Sequence, residues 1–119
     1  MANDETVPFQ KINFAHDRGQ YIIRDQTTLD AMVGERKYLL QGIDVDFERD
    51  IIIGVSRGFV SSGYNVVIER VIRNEQGLAV HYRENDPRPG AAYSASMHTA
   101  CYFATVPKQE GKVEFHKIE

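Results

Sequence analysis

The sequence predicts a mainly β fold: an antiparallel β-sandwich or curled sheet with one short helix at about residues 26–34. Three observations predict it. Apolar residues alternate with polar ones at a period of two in several stretches, including Tyr64, Val66 and Ile68, then Leu78, Val80 and Tyr82. That period places side chains on one face of a strand. The run Ile51-Ile52-Ile53 with Val55 is short and β-branched, which suits a buried pleated surface. Only one segment shows helical spacing.

The elements follow in chain order. Residues 1–8 are polar, end at Pro8 and read as a flexible N-terminus, leaving residues 9–119 as a single β domain. Phe9, Ile12 and Phe14 stand among polar neighbours and suggest an irregular or edge strand. His16-Asp17-Arg18-Gly19 reads as a turn before a strand at Tyr21-Ile22-Ile23. Helical spacing then appears. Leu29, Met32 and Val33 fall at i, i+3 and i+4, Asp25 or Thr27 caps the start, and Gly34 is a natural stop. Lys37 to Leu40 would carry a further turn.

The chain is organised around Asp46 to Val71. A central strand over Ile51–Val55 is closed by Gly58. A loop, Gly58-Phe59-Val60-Ser61-Ser62-Gly63, follows, and Tyr64 opens the next strand. Asn74 to Gly77 is a turn between two strands. Asn85-Asp86-Pro87-Arg88-Pro89-Gly90 breaks regular structure, because proline fixes its own dihedral and restrains the residue before it. Ala91 to Thr99 has no strong period. Ala100 to Val106 is a strand with Tyr102, Ala104 and Val106 on one face and Cys101, Phe103 and Thr105 on the other. After a turn at Pro107 to Gly111, Val113 and Phe115 mark a last strand. The total is six or seven strands, with antiparallel hairpins dominating the second half.

The order Asp46-Phe47, apolar strand, Gly58, short loop, Ser62-Gly63-Tyr64, apolar strand, then Pro87 to Gly90, resembles the C-terminal domain of the protease-complex subunit PrcB family. The resemblance spans roughly Gly19 to Phe115. It implies a small, mostly β, non-catalytic protein-binding domain that associates with or stabilises a protease complex. It also implies a short helix with tryptophan at its apolar positions. This chain has no tryptophan, so Leu29 and Met32 would stand there. PrcB-like proteins are often exported or lipid-anchored. The compartment is left open: cytoplasmic if the chain is complete, exported or in the cell envelope if a leader was removed.

Composition excludes several classes. The 119 residues are 42% apolar and 26% charged, as in ordinary globular domains. A chain of this length buries roughly two-thirds of its unfolded surface, enough for a core without staples. The net charge of −3 argues against nucleic acid as a partner. No apolar run approaches the ~20 residues of a membrane span. Cys101 is the only cysteine, so no intramolecular disulfide can form.

Candidates for chemistry are few. Cys101 with His98 would suggest a thiol nucleophile and base, but three residues apart on a strand they point to opposite faces. His81 would have to reach Cys101 across strands. Otherwise a lone cysteine between Ala100 and Tyr102 reads as a small buried hydrophobe. His16, His81, His98 and His116 lack zinc-ligand spacing. Asp44, Asp46, Glu48 and Asp50 alternate but lack the glycine and closing glutamate of a calcium loop. No catalytic residue, metal site or cofactor is therefore assigned.

Two loops remain as a partner-binding surface: Ser61, Ser62, Gly63 and Tyr64 in one, Pro87, Arg88 and Pro89 in the other. Tyrosine and arginine dominate interface energetics, and prolines lower the entropy cost of docking. The competing reading folds Phe59 and Tyr64 back into the core. The glycine-tyrosine loop is also distantly similar to the inhibitory loop of chagasin-like protease inhibitors, although the Asn-Pro before it and a following Arg-Pro-Trp are missing. The alternative function is therefore a protease inhibitor acting through the Ser61–Tyr64 and Pro87–Pro89 loops, and a small enzyme using Cys101 ranks below both. The implied partner is a protein, with a protease foremost. A homo-oligomer paired through an exposed sheet edge stays open.

Overall fold

The computed structural model describes residues 4–90 and 96–118. Among them lie strands β1 (Glu5–Val7), β2 (Gln10–Ile12) and β3 (Gly19–Ile23), helix α1 (Gln26–Val33) and a 3-10 turn at Lys37–Leu40. Strands β4 (Asp50–Ser61), β5 (Asn65–Asn74), β6 (Gly77–Asn85), β7 (Met97–Pro107) and β8 (Lys112–Ile118) follow. They form two four-stranded sheets, ordered β1-β5-β6-β8 and β2-β7-β4-β3. The fold is mainly β with one α-helix, as the sequence predicts.

The long strand β4 explains the packing. Ile51, Ile53 and Val55 join Val66, Ile68, Val71, Leu78, Val80, Ala104 and Val106 in the core between the sheets. Ile52 faces the other way, into a second cluster with Phe14, Ile23, Leu29, Val33 and Phe103. Both faces of β4 are thus covered, one by a sheet and one by the helix. This is why the sequence shows an unbroken Ile run there rather than an alternation. The predicted faces of β7 are borne out. Ala104 and Val106 belong to the inter-sheet core with Tyr102 beside it, and Phe103 belongs to the helix side with Cys101 beside it.

Helix α1 starts as its capping residue dictates. The Asp25 carboxylate accepts the Thr28 backbone N–H at 2.7 Å, satisfying a donor the helix cannot use itself. That same bond lowers the Asp25 pKa. The helix ends at Gly34, whose φ is 56°. His16 fastens this layer: its two ring nitrogens lie 3.1 Å from the Tyr21 hydroxyl and 3.1 Å from the Met32 carbonyl.

The structure corrects four expectations. Residues 1–8 are not all a loose tail: Glu5–Val7 pairs with Val71–Arg73, and Val7 is buried. Gly58 does not close the central strand, which runs on to Ser61 through a bulge, so Gly58, Phe59, Val60 and Ser61 are strand rather than loop. Likewise Met97–Thr99 belongs to β7, while the remainder of the predicted irregular stretch, residues 91–95, lies outside the described residues. The second half is also not a series of hairpins. Only β5 and β6 form one, around Asn74–Gly77; β4 to β5, β6 to β7 and β7 to β8 each change sheets. Because β7 crosses to the other sheet, β8 returns parallel to β6. A parallel pair needs such a crossover.

Parallel pairing sets His81 beside His116, with ring centroids 5.4 Å apart. Burial, Arg70 and His116 all lower the His81 pKa. These two imidazoles are therefore structural neighbours on the first sheet, far in topology from Cys101 on β7.

A close approach in the second sheet yields a direct test. Gly54 pairs with Phe103, and a Cβ added at Gly54 would lie 2.3 Å from that ring. Phe103 is fully buried and packs edge-on against Phe14, centroids 5.0 Å apart. Gly54→Ala must push the ring out of place, so a loss of about 1–3 kcal/mol is expected in denaturant unfolding. An unchanged midpoint would show that the ring does not lie over Gly54.

Candidate functional site

The site is built at one end of the sandwich, where β4 outruns β3. The β3–β4 ladder stops at the pair Gly19 and Ser56, while β4 continues to Ser61 against β7 alone. The register of β4 on β7 slips between Ser56 and Gly58, leaving Arg57 as the extra residue of a β-bulge. Gly58 takes φ 84°, a conformation that favours glycine. The buried Ser56 hydroxyl holds the bulge, donating to the His16 carbonyl at 2.8 Å and accepting the Gly58 N–H at 3.1 Å.

The bulged Arg57 reaches across to the other sheet. Its Nη1 donates to the carbonyls of Asn65 and Asn85, both at 3.2 Å, and to the Asp86 carboxylate at 2.7 Å. Its Nε lies 3.9 Å from Glu84, and its guanidinium carbon lies 5.2 Å from the Tyr64 ring centroid. Only 17% of the side chain is exposed. A guanidinium suits this place because one planar group supplies several fixed donors and a face for an aromatic ring. Asn65 and Asn85 are themselves paired across β5 and β6, with the Asn85 amide donating to the Asn65 side-chain oxygen at 2.8 Å.

That pairing decides where the two candidate loops lie. The turn Ser62–Tyr64 leads into Asn65, and the Asp86–Gly90 loop leaves from Asn85. They emerge side by side from one end of the first sheet, and Arg57 binds the root of both. In the first loop Ser61 ends β4, the Tyr64 N–H donates to the Ser61 carbonyl at 3.3 Å, and Gly63 has φ 101°. The Ser62 N–H donates to the Ser96 carbonyl at 2.9 Å, and a His98 ring nitrogen lies 2.9 Å from the Tyr64 carbonyl. In the second loop Pro87 is half-buried, while Arg88 and Pro89 are exposed. Tyr64 is half-buried on Arg57, between the two readings the sequence left open, whereas Phe59 is 69% exposed and stays out of the core.

Beside these loops lies a cleft of about 340 Å³, lined by Arg18, Arg57, Val60, Ser61, Tyr64 and Glu84 among others. A second lobe of about 160 Å³ shares Arg18, Ser56, Arg57 and Glu84 and runs inward toward Tyr82. The cleft mixes both signs of charge: Glu84 also meets Lys117 at 3.2 Å. Sequence reasoning did not single out Arg57, Glu84 or Arg18. A signal for Arg57 was present, since an arginine two residues past Val55 interrupts an apolar strand just before a glycine.

The other candidates separate. Cys101 is half-buried on the helix side, and its thiol donates to the Phe14 carbonyl at 3.5 Å. Burial raises its pKa, with the His16 backbone and Lys11 offsetting part of that. His98, held on the Tyr64 carbonyl, and His81, on the first sheet, do not pair with it. Among the described residues no group of three or more His, Cys, Asp or Glu side chains is placed to hold a metal ion. Nor is any helix among them long and apolar enough to cross a membrane.

The two stacked sheets and the polar cleft at their end define a small β-sandwich domain. Residues 51–101 match the family model described as PrcB C-terminal, so the resemblance read from the residues is met over this stretch. The match covers under half of the chain, from the start of β4 into β7, and contains the bulge and both loops. No curated protein and no solved structure matches the chain.

Arg57 offers the test of the site's construction. Arg57→Lys keeps the charge but ends one bond short of the Nη1 that the Asn65 and Asn85 carbonyls share, leaving them short of a partner. A loss of about 1–3 kcal/mol is expected in denaturant unfolding. A lysine variant as stable as the wild type would mean that the guanidinium contacts contribute nothing.

Proposed function

We propose that this is a non-catalytic protein-binding domain, PrcB-like, that associates with or stabilises a protease complex through the two loops at the Arg57 end. The observation that carries the reading is the Asn65–Asn85 pair, from which Ser62–Tyr64 and Asp86–Gly90 leave as neighbours. Together they offer tyrosine and arginine for contact, and prolines that limit what docking must order. The family match over residues 51–101 supports the protease association.

A non-catalytic role accords with the thiol. Nucleophilic cysteines need a depressed pKa and a base within reach. Here burial raises the pKa of Cys101 and no histidine pairs with it.

The test is capture of partners from the source cell by the wild-type domain and by a Tyr64→Ala, Arg88→Ala double variant, with the fold of both checked by circular dichroism. A protease or protease complex held by the wild type and lost by the double variant is the expected outcome. Identical recoveries would overturn the loop assignment. Titration of the captured protease then divides the roles: an accessory domain leaves its activity in place, whereas stoichiometric, saturable loss of activity would make the domain an inhibitor.

A further inference from the structure

The overhang of β4 has a feature that the loops alone do not explain. Past the pair Gly19 and Ser56, β3 no longer accompanies β4, and the flank of Gly58–Ser61 that β3 would have covered has no strand partner among the described residues. Open edges are usually guarded by charge, by proline or by brevity. Three of the four outer strands follow that rule; the fourth, β3, has five residues and no charge. β1 and β2 have three residues each, and β8 carries Lys112, Glu114, His116 and Lys117. Gly58–Ser61 carries no charge and no proline, and it exposes Phe59 at 69%, with Met97 exposed at 47% on the neighbouring strand. Beside it runs the 340 Å³ cleft, to which Val60 and Ser61 contribute.

The charge of that cleft selects the occupant. Arg57 is met by Asp86 and Glu84. Arg18 is exposed, lines both lobes, and has no ion-pair or hydrogen-bond partner among the described residues. Its backbone and Cβ lie against Gly58, and its side chain lines the cleft beside the open edge. A second copy of this chain would bring another Arg18 to the same place. An extended acidic peptide instead brings a carboxylate to Arg18.

We propose that the Gly58–Ser61 edge of β4 takes up an extended segment of a partner protein as an added strand, in line with β3, with an apolar side chain against Phe59 and a carboxylate on Arg18. Strand addition supplies affinity through main-chain hydrogen bonds and specificity through alternate side chains. This inference deepens the protein-binding reading and rests on it.

The test uses a random heptapeptide display library selected on the full chain, with Phe59→Lys and Arg18→Glu as comparison targets of verified fold. Recovered peptides should combine β-branched residues with Asp or Glu, and lose about tenfold or more in affinity on either variant. Their binding should slow hydrogen exchange at the Phe59–Ser61 amides. An empty selection, or peptides indifferent to both variants, would overturn the proposal. So would a wild-type dimer in sedimentation that Phe59→Lys dissociates, which would make a second copy the occupant. The two readings fail separately. A partner lost by the Tyr64→Ala, Arg88→Ala variant but kept by Phe59→Lys and Arg18→Glu leaves the loops as the binding surface and removes the edge.

Discussion

The interaction on which this end of the molecule depends is the reach of Arg57 from one sheet to the other. The two sheets share an apolar core, which is non-directional and fixes their separation better than their alignment. Arg57 adds direction. It starts on β4, ends on the carbonyls of Asn65 and Asn85, and closes on Asp86. It can do so only because the bulge makes it an extra residue, freed from the regular pleat. The bulge in turn depends on Ser56, which satisfies the Gly58 N–H and ties the strand to His16. The chain of causes therefore runs from a serine and a glycine to an arginine, and from the arginine to two loops.

The core behind this end is fully buried, and the loops before it are not built into any sheet. Ile51, Ile52 and Ile53 are wholly buried on two faces of one strand. That gives the bulge a fixed base, in the way that binding loops are commonly carried on a rigid scaffold. Most of the ion pairs elsewhere are exposed, such as Arg49 with Asp46 and Lys112 with Glu114, and contribute little to stability. The Arg57 contacts differ in being sheltered and multiple.

Much of the fold was legible in the sequence because side-chain period reports which face a residue takes. Asp25 and Gly34 bounded the helix, and the two faces of β7 were readable from Tyr102, Phe103 and Ala104. Period does not report which strand lies alongside. The sheet changes at Ser62–Tyr64 and between β6 and β7, and the parallel pairing of β8, were therefore out of reach. Gly58 misled for a physical reason: the same tolerance of positive φ that makes glycine end a strand also lets it complete a bulge inside one. Of the site, the sequence singled out the loop residues but not the arginine behind them. Arg57 pairs with groups 8 to 29 positions away, and no local pattern encodes such partners.

The central claim is that Arg57 couples two loops into one surface. Amide hydrogen exchange in the wild type and in Arg57→Lys tests it most directly. Exchange should quicken together at Ser62–Tyr64 and at Asp86, Arg88 and Gly90, while the Ile51–Val55 amides keep their protection. Quickening in one loop alone, or in neither, would contradict the account and leave the two loops as independent connectors.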